Sequence, residues 1–127
     1  MIGGYFNNII QTLFVSKAVA SFRIARYEEG DENGFIRIKC RLTDRGILEF
    51  AEYIMTQKNR IYLENYSYHW QGADGNLLKR WDNVAHHKEV TTFPHHLHLS
   101  DGRVIESPTM NLKKVLFEIE KVIPVNQ

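Results

Sequence analysis

The strongest chemical signal in this sequence is a group of histidines that falls between positions 86 and 98. The group consists of His86, His87, His95, His96 and His98, and His69 lies near the end of the preceding predicted strand. Histidine is the side chain whose unperturbed pKa lies nearest neutrality, so such a group suits general acid–base catalysis or metal ligation. A turn at residues 72–76 folds the preceding strand back, so we expect His69 to approach the others.

Strand periodicity divides these histidines between two faces. Alternate side chains of a strand share a face, so Leu97 and Leu99 should face the core while His96 and His98 face away from it together. His95 has the parity of the leucines, and we expect it to be a hydrogen-bonded core histidine instead. A pair of histidines on one strand face could ligate a metal ion or flank a phosphate.

Polar residues that could assist the histidines come just before them. Asp82 could fix the tautomer of a neighbouring histidine and stabilise its protonated form, and Arg80 could stabilise charge developing on a phosphate. Alternatively, Asp82 and Asn83 only form an Asx turn, with Trp81 packed beneath. The residues predicted to be catalytic are His86, His87, His96, His98, Asp82 and Arg80.

A row of cations is predicted on another strand. Arg37, Lys39 and Arg41 alternate with apolar residues, which places three positive charges on one strand face about 6.6 Å apart. Arg23 on the partner strand extends the row. A phosphate backbone fits such a row, although a solvated sheet face is also commonly charged.

Aromatic residues of one parity follow the long strand, namely Tyr62, Tyr66, Tyr68 and Trp70. We expect most of them to be core, with Tyr66 or Tyr68 as the exposed exception that could stack on a base. The predicted substrate-binding residues are Arg37, Lys39, Arg41, Tyr68, His69, Trp81 and Thr92.

The pattern matches no established metal motif, because it contains neither a cysteine pair nor a helical histidine pair. We therefore assign no residue as a metal ligand and expect no cofactor. Metal-dependent use of the same histidines, with Asp82, Asp101 or Glu106, remains an alternative.

The elements that must position these residues form an α+β domain spanning residues 1–127. A single antiparallel sheet of five to seven strands should carry an N-terminal and a C-terminal helix on one face. Residues 47–55 suit a helix by composition, but their place between hairpin-like runs favours a strand. The predicted helices cover about residues 4–15 and a segment after Thr109, and the predicted strands lie near 19–27, 35–42, 47–55, 60–70, 77–81, 97–99 and 103–106.

The composition is that of a globular protein, with 43% hydrophobic and 24% charged residues and a net charge of only +1. The single cysteine, Cys40, excludes an intramolecular disulfide and is expected to be buried. The sequence contains neither a leader-like N-terminus nor an apolar run long enough to span a bilayer. We expect a cytoplasmic protein that does not engage a membrane.

Several blocks together resemble the TumE family of prokaryotic toxins. They are Tyr68-His69-Trp70-Gln71, Asp74-Gly75, Arg80-Trp81-Asp82-Asn83, His86-His87, Thr92-Phe93-Pro94-His95-His96, His98 and Asp101-Gly102, with a helix after them. The resemblance runs from about Val19 to the end of the chain. It implies a cytoplasmic toxin encoded beside a helix-turn-helix antitoxin that binds and neutralises it.

Three functions are compatible with these features. The first is a toxin that acts on RNA through a histidine-based acid–base site. The second is a metal-dependent enzyme or metal-binding domain that uses the same histidines. The third is a non-catalytic interaction module whose surface includes Trp70 and Trp81. Exposed sheet edges also make a homodimer a possible assembly.

Overall fold

The computed structural model describes residues 1–124 and contains one seven-stranded antiparallel sheet flanked by two helices. Each strand pairs with its neighbours in the chain, so the sheet is a meander. The elements are α1 Ile2–Val15, β1 Val19–Glu29, β2 Asn33–Leu42, β3 Ile47–Gln57, β4 Arg60–Gln71, β5 Leu77–Asp82, β6 His96–Leu99, β7 Val104–Glu106 and α2 Leu112–Val122. The predicted α+β class, antiparallel sheet and terminal helices are confirmed.

Both helices cover the same face of the sheet, which we call the covered face. Their apolar residues recur at helical spacing and pack on alternate residues of the strands. The buried helix residues are Ile2, Phe6, Ile9 and Leu13 of α1, and Leu112, Val115, Leu116 and Ile119 of α2. Full burial of one large apolar side chain contributes roughly 1.5–3 kcal/mol, so this layer supplies the main stabilisation of the fold.

The segment with ambiguous composition forms β3, as the favoured interpretation predicted. Leu48, Phe50 and Ile54 alternate towards the core, and each has no exposed surface. Its backbone is paired with β2 on one side and β4 on the other, so it lies inside the sheet. Cys40 on β2 is also fully buried, as expected.

The aromatic residues of β4 divide differently from the prediction. Tyr66, Tyr68 and Trp70 are buried on the covered face, whereas Tyr62 is 43% exposed. Expecting Tyr66 or Tyr68 to be the exposed exception was therefore wrong. The register shifts beside Glu64, because Tyr53 pairs with Asn65 while Ile54 pairs with Leu63. This bulge moves Leu63 towards the core and turns Tyr62 to the other face.

The second face, which neither helix covers, carries most of the polar side chains and is called the open face. Cross-strand pairing aligns its residues in rows that run across the sheet. One row follows the pairs Arg23–Lys39, Lys39–Glu49, Glu49–His69, His69–Arg80 and Arg80–His98. The register thus places the cations of β2 and the histidines of β6 on one continuous surface.

Helices in the described part of the chain are too short or too polar to cross a bilayer.

Candidate active site

The centre of the site is formed where β5 pairs with β6. Arg80 lies opposite His98, and Asp82 lies opposite His96. Leu97, between the two histidines, is buried in the core, so the predicted division of this strand between two faces is confirmed. The period of two along each strand brings all four polar side chains to the open face.

Asp82 is the acceptor around which the other side chains gather. Its side chain is only 5% exposed, and its Oδ1 lies 2.8 Å from Nε2 of His96. Oδ2 lies 3.1 Å from Nε of Arg80 and 3.5 Å from Nε2 of His98. The backbone N–H of Val84 also donates to Oδ1, at 3.2 Å. A buried carboxylate is tolerated when it is paired and hydrogen-bonded in this way.

Both ring nitrogens of His96 face oxygen acceptors. Nδ1 lies 2.9 Å from the carbonyl oxygen of Pro94, which can only accept, so Nδ1 carries the hydrogen. Nε2 lies 2.8 Å from Oδ1 of Asp82, within hydrogen-bonding distance. The His96 side chain is 2% exposed, so this pair is shielded from water.

His87 reaches the site from the loop of residues 83–95. Its backbone has a φ of 58°, a left-handed conformation that non-glycine residues seldom adopt and that often marks functional sites. Nδ1 of His87 donates to Oε1 of Glu89 at 3.0 Å. The ring centroid lies 5.1 Å from that of His96 and 5.6 Å from that of His98. The loop therefore adds a third imidazole to the pair on β6.

Of His96 and His98 on β6, His98 is the one that water can reach, since its side chain is 28% exposed. Burial lowers the pKa of His98, while the charge of Asp82 acts in the opposite direction. The charges of His96, Arg80 and His87 lower the pKa further. The result is an imidazole that favours the neutral, proton-accepting form.

The three imidazoles also have the arrangement of a metal-binding group. His87, His96 and His98 each offer one ligand atom, and these atoms lie within 4.8 Å of one another. We call these three residues together with Asp82 the histidine cluster.

The remaining histidines lie outside the histidine cluster. His86 is exposed, with its ring 6.4 Å from that of His87, and the structure does not bring it to Asp82. His69 pairs with Arg80 across the strands, but its Nε2 donates to Gln71 at 3.1 Å. His95 stacks on Tyr66 and shares a 2.7 Å hydrogen bond with it, as expected for a histidine with the parity of the core. The predicted convergence therefore holds for three of the histidines.

Three predicted substrate contacts require correction. Tyr68 is 0% exposed and Trp81 is 3% exposed, and both side chains lie on the covered face beneath the helices. Neither can meet a substrate without unfolding of the core. The hydroxyl of Thr92 donates to the carbonyl of His95 and accepts from the backbone N–H of Ser107, so it fastens the loop instead.

The predicted cation row lies on the open face. Lys39 and Arg41 are exposed, and with Ser21, Arg23 and Ile47 they line a shallow cavity of about 460 Å³. Arg37 is turned towards Glu49, with 3.4 Å between Nη1 and Oε2. Lys39 and His98 are four strand spacings apart, which corresponds to about 19 Å across the sheet.

Two site residues were missed at the sequence level. Glu89 orients His87, and the carbonyl of Pro94 orients His96. Glu89 lies two residues after His87, a spacing that could have suggested a hydrogen bond in a turn. The contribution of Pro94 comes from its backbone, and no residue type announces it.

Comparison with known proteins identifies a family but no individual relative. A family profile described as toxin TumE matches residues 7–123. No curated protein and no solved structure gives a significant match.

Proposed function

Because this chain belongs to the TumE toxin family, we propose that it acts on RNA and cleaves the phosphodiester backbone at the histidine cluster. The observation that carries this proposal is that His96, His98 and Arg80 meet one buried carboxylate, with His87 beside the two histidines. That centre lies on the open face, and the opposite end of the same face carries the cations of β1 and β2. The toxin family also implies an antitoxin partner.

RNA would bind along the open face. The positive charges of Arg23, Lys39 and Arg41 attract the phosphate backbone, and binding by these residues releases condensed counterions. The cross-strand rows then lead from these cations to the histidine cluster. His69 lies in the same row, between the cations and the histidine cluster, and can contact the RNA there.

The proposed reaction is attack of a ribose 2′-hydroxyl on the adjacent phosphorus. His98 accepts the proton of the 2′-hydroxyl, the new bond from the 2′-oxygen to phosphorus forms, and the bond from phosphorus to the 5′-oxygen breaks. His87, on the exposed loop, donates a proton to the departing 5′-oxygen. The products are a 2′,3′-cyclic phosphate and a free 5′-hydroxyl. Two histidines in different environments can divide the acid and base roles in this way.

The other residues of the centre act on charge and position. Arg80 stabilises the negative charge that develops on the phosphate oxygens. His96 and Asp82 are positioning residues, because both are almost fully buried and cannot reach the substrate. Their contact fixes β5 against β6 and holds His98 beside Arg80. His86, at the rim, has no assigned step.

The decisive experiment is incubation of the purified, chelator-treated protein with several classes of RNA. We expect cleavage products that end in a 2′,3′-cyclic phosphate. His98→Ala should lower the rate, whereas Lys113→Ala, an exposed change on α2, should leave it unchanged. If all RNA classes stay intact and His98→Ala remains toxic in cells, the acid–base mechanism is wrong.

The partners are proposals at a finer level. The antitoxin would be a helix-turn-helix protein, and co-purification of the neighbouring gene product tests this. The long edge strand β1 could pair with a second copy, which light scattering would detect as a dimer. The predicted interaction module placed Trp70 and Trp81 at its surface. That prediction needs correction, because each of the two residues is only 3% exposed.

A further inference from the structure

We propose that the histidine cluster binds one divalent transition-metal ion such as Zn²⁺, and that a bound ion blocks the acid–base step. The ligands would be His87, His96 and His98, with Asp82 as the fourth. Metal binding by itself is independent of the proposed function. Only the inhibition rests on that function.

The spacing of the rings fits a common ion. The centroid distances are 4.9 Å between His96 and His98, 5.1 Å between His87 and His96, and 5.6 Å between His87 and His98. Three imidazoles on one tetrahedral Zn²⁺, each bound at about 2.0–2.1 Å, have ring centres roughly 5 Å apart. The rings are also steeply inclined to one another, at 63°, 68° and 80°, so none stacks face to face on another.

The outer hydrogen bonds of two of the rings are those of metal-binding histidines. A ligating histidine usually donates its second ring N–H to a carbonyl or carboxylate, which fixes the ring and leaves the other nitrogen free to bind. Nδ1 of His96 donates to the Pro94 carbonyl, and Nδ1 of His87 donates to Glu89. In both residues Nε2 is the nitrogen left for the ion.

Asp82 would be the fourth ligand, since it lies beside two of the three histidines. Its Oδ1 lies 2.8 Å from Nε2 of His96, and its Oδ2 lies 3.5 Å from Nε2 of His98. Two ligands of a tetrahedral Zn²⁺ lie roughly 3.4 Å apart, so the two distances bracket the value that a shared ion requires. The ion would lie between these nitrogen and oxygen atoms.

The nearest opposing charge is that of Arg80, which holds Oδ2 of Asp82 at 3.1 Å. Its positive charge competes with a metal ion for the carboxylate. Arg80→Gln should therefore strengthen metal binding several-fold, although the same change should slow RNA cleavage. A set of histidines that is merely hydrogen-bonded around Asp82 would not give this pair of opposite effects.

A bound ion would also occupy the lone pair with which His98 accepts a proton. His87 would be held in the cluster as well and could not protonate a departing oxygen. Occupancy and acid–base cleavage thus exclude one another, and Zn²⁺ would act as an inhibitor that cellular metal levels control.

The test is titration of the full-length, chelator-treated protein with Zn²⁺ by calorimetry and with Co²⁺ by visible absorption. We expect one equivalent of ion, an absorption band of tetrahedral Co²⁺ and a higher Tm in the presence of Zn²⁺. His87→Ala and His98→Ala should each weaken binding at least tenfold. His86→Ala is the matched control, because it removes the neighbouring imidazole from outside the cluster, and it should bind as the parent does.

Two results would overturn the site: no saturable binding, or an equal loss in His86→Ala and His87→Ala. Neither of them affects the proposed cleavage. RNA cleavage measured with and without Zn²⁺ then tests the second part. Inhibition by one equivalent supports both proposals, whereas cleavage that requires the ion retains the site and overturns both the acid–base mechanism and the inhibition.

Discussion

Two carboxylates are buried on opposite faces of this sheet, and their surroundings differ in kind. Glu52, on the covered face, is 1% exposed and accepts hydrogen bonds from the hydroxyls of Tyr5 at 2.5 Å and Tyr68 at 2.7 Å. Asp82, on the open face, is 3% exposed and faces Arg80 and two histidines. The first has two tyrosine hydroxyls as donors beneath a helix, and the second has a guanidinium and two imidazoles beside solvent.

This difference in donors decides what each carboxylate can do. Burial raises the pKa of Glu52, and the tyrosine hydrogen bonds oppose the shift only in part. Burial also raises the pKa of Tyr5, so its hydroxyl keeps its proton and remains a donor. The Glu52 group is therefore a polar clamp between α1 and β4. Around Asp82 two of the partners are imidazoles, and one of them reaches water, which is the arrangement on which the proposed acid–base site rests.

The largest contrast between the faces should appear in activity. We expect His98→Ala to reduce RNA cleavage by about 10²- to 10⁴-fold, the usual contribution of a positioned acid or base. Tyr5→Phe, on the covered face, should leave the rate of the folded protein unchanged. Initial rates on a defined RNA measure both, and equal losses in the two variants would remove the functional distinction between the faces.

The next contrast concerns stability. Tyr5→Phe removes one of the two hydroxyls that bind Glu52, and we expect it to lower the free energy of unfolding by about 1–3 kcal/mol. His98→Ala should cost less, because Asp82 keeps Arg80, His96 and the Val84 N–H as partners. Urea unfolding compares the variants, and a larger loss in His98→Ala would contradict the comparison.

A smaller effect should appear in the pH dependence of stability. Glu52 has a pKa raised by folding, so the folded protein holds its proton at pH values where the unfolded chain has lost it. The contribution of this proton to the free energy of unfolding is complete below the pKa that Glu52 has in the unfolded chain, near 4.3. It is lost as the pH rises through the pKa that Glu52 has in the folded protein. The titratable groups that face it are Tyr5 and Tyr68. The free energy of unfolding, measured from pH 4 upwards, should therefore fall more steeply with pH in the parent protein than in Glu52→Gln.

The smallest expected signal is the reactivity of Cys40. Burial raises the pKa of this thiol to about 12, so very little thiolate forms at pH 8. We expect iodoacetamide to label the native protein negligibly and the urea-unfolded protein readily, as mass spectrometry would show. Diethyl pyrocarbonate should modify the exposed His86 under the same native conditions. Rapid labelling of native Cys40 would show that the covered face opens.

Periodicity in the sequence was sufficient to predict the helices and strands and some of the site residues. The period of two in β6 separated His96 and His98 from Leu97, because alternation along a strand is a local property of the backbone. The helical stripes of α1 and α2 are local for the same reason. The cation row of β2 followed from alternation as well, and the structure places that row on the open face.

Tertiary structure decided what depends on contacts between distant segments. The bulge beside Glu64 turned Tyr62 away from the face of Tyr66, and pairing of β4 with β3 defines that bulge. His87, whose backbone is left-handed, lies in the cluster and its neighbour His86 does not, a choice that the sequence left open. The pairing of Asp82 with His96 spans that loop. Residue types alone indicate which groups can do chemistry, but register and chain reversal determine which of them meet.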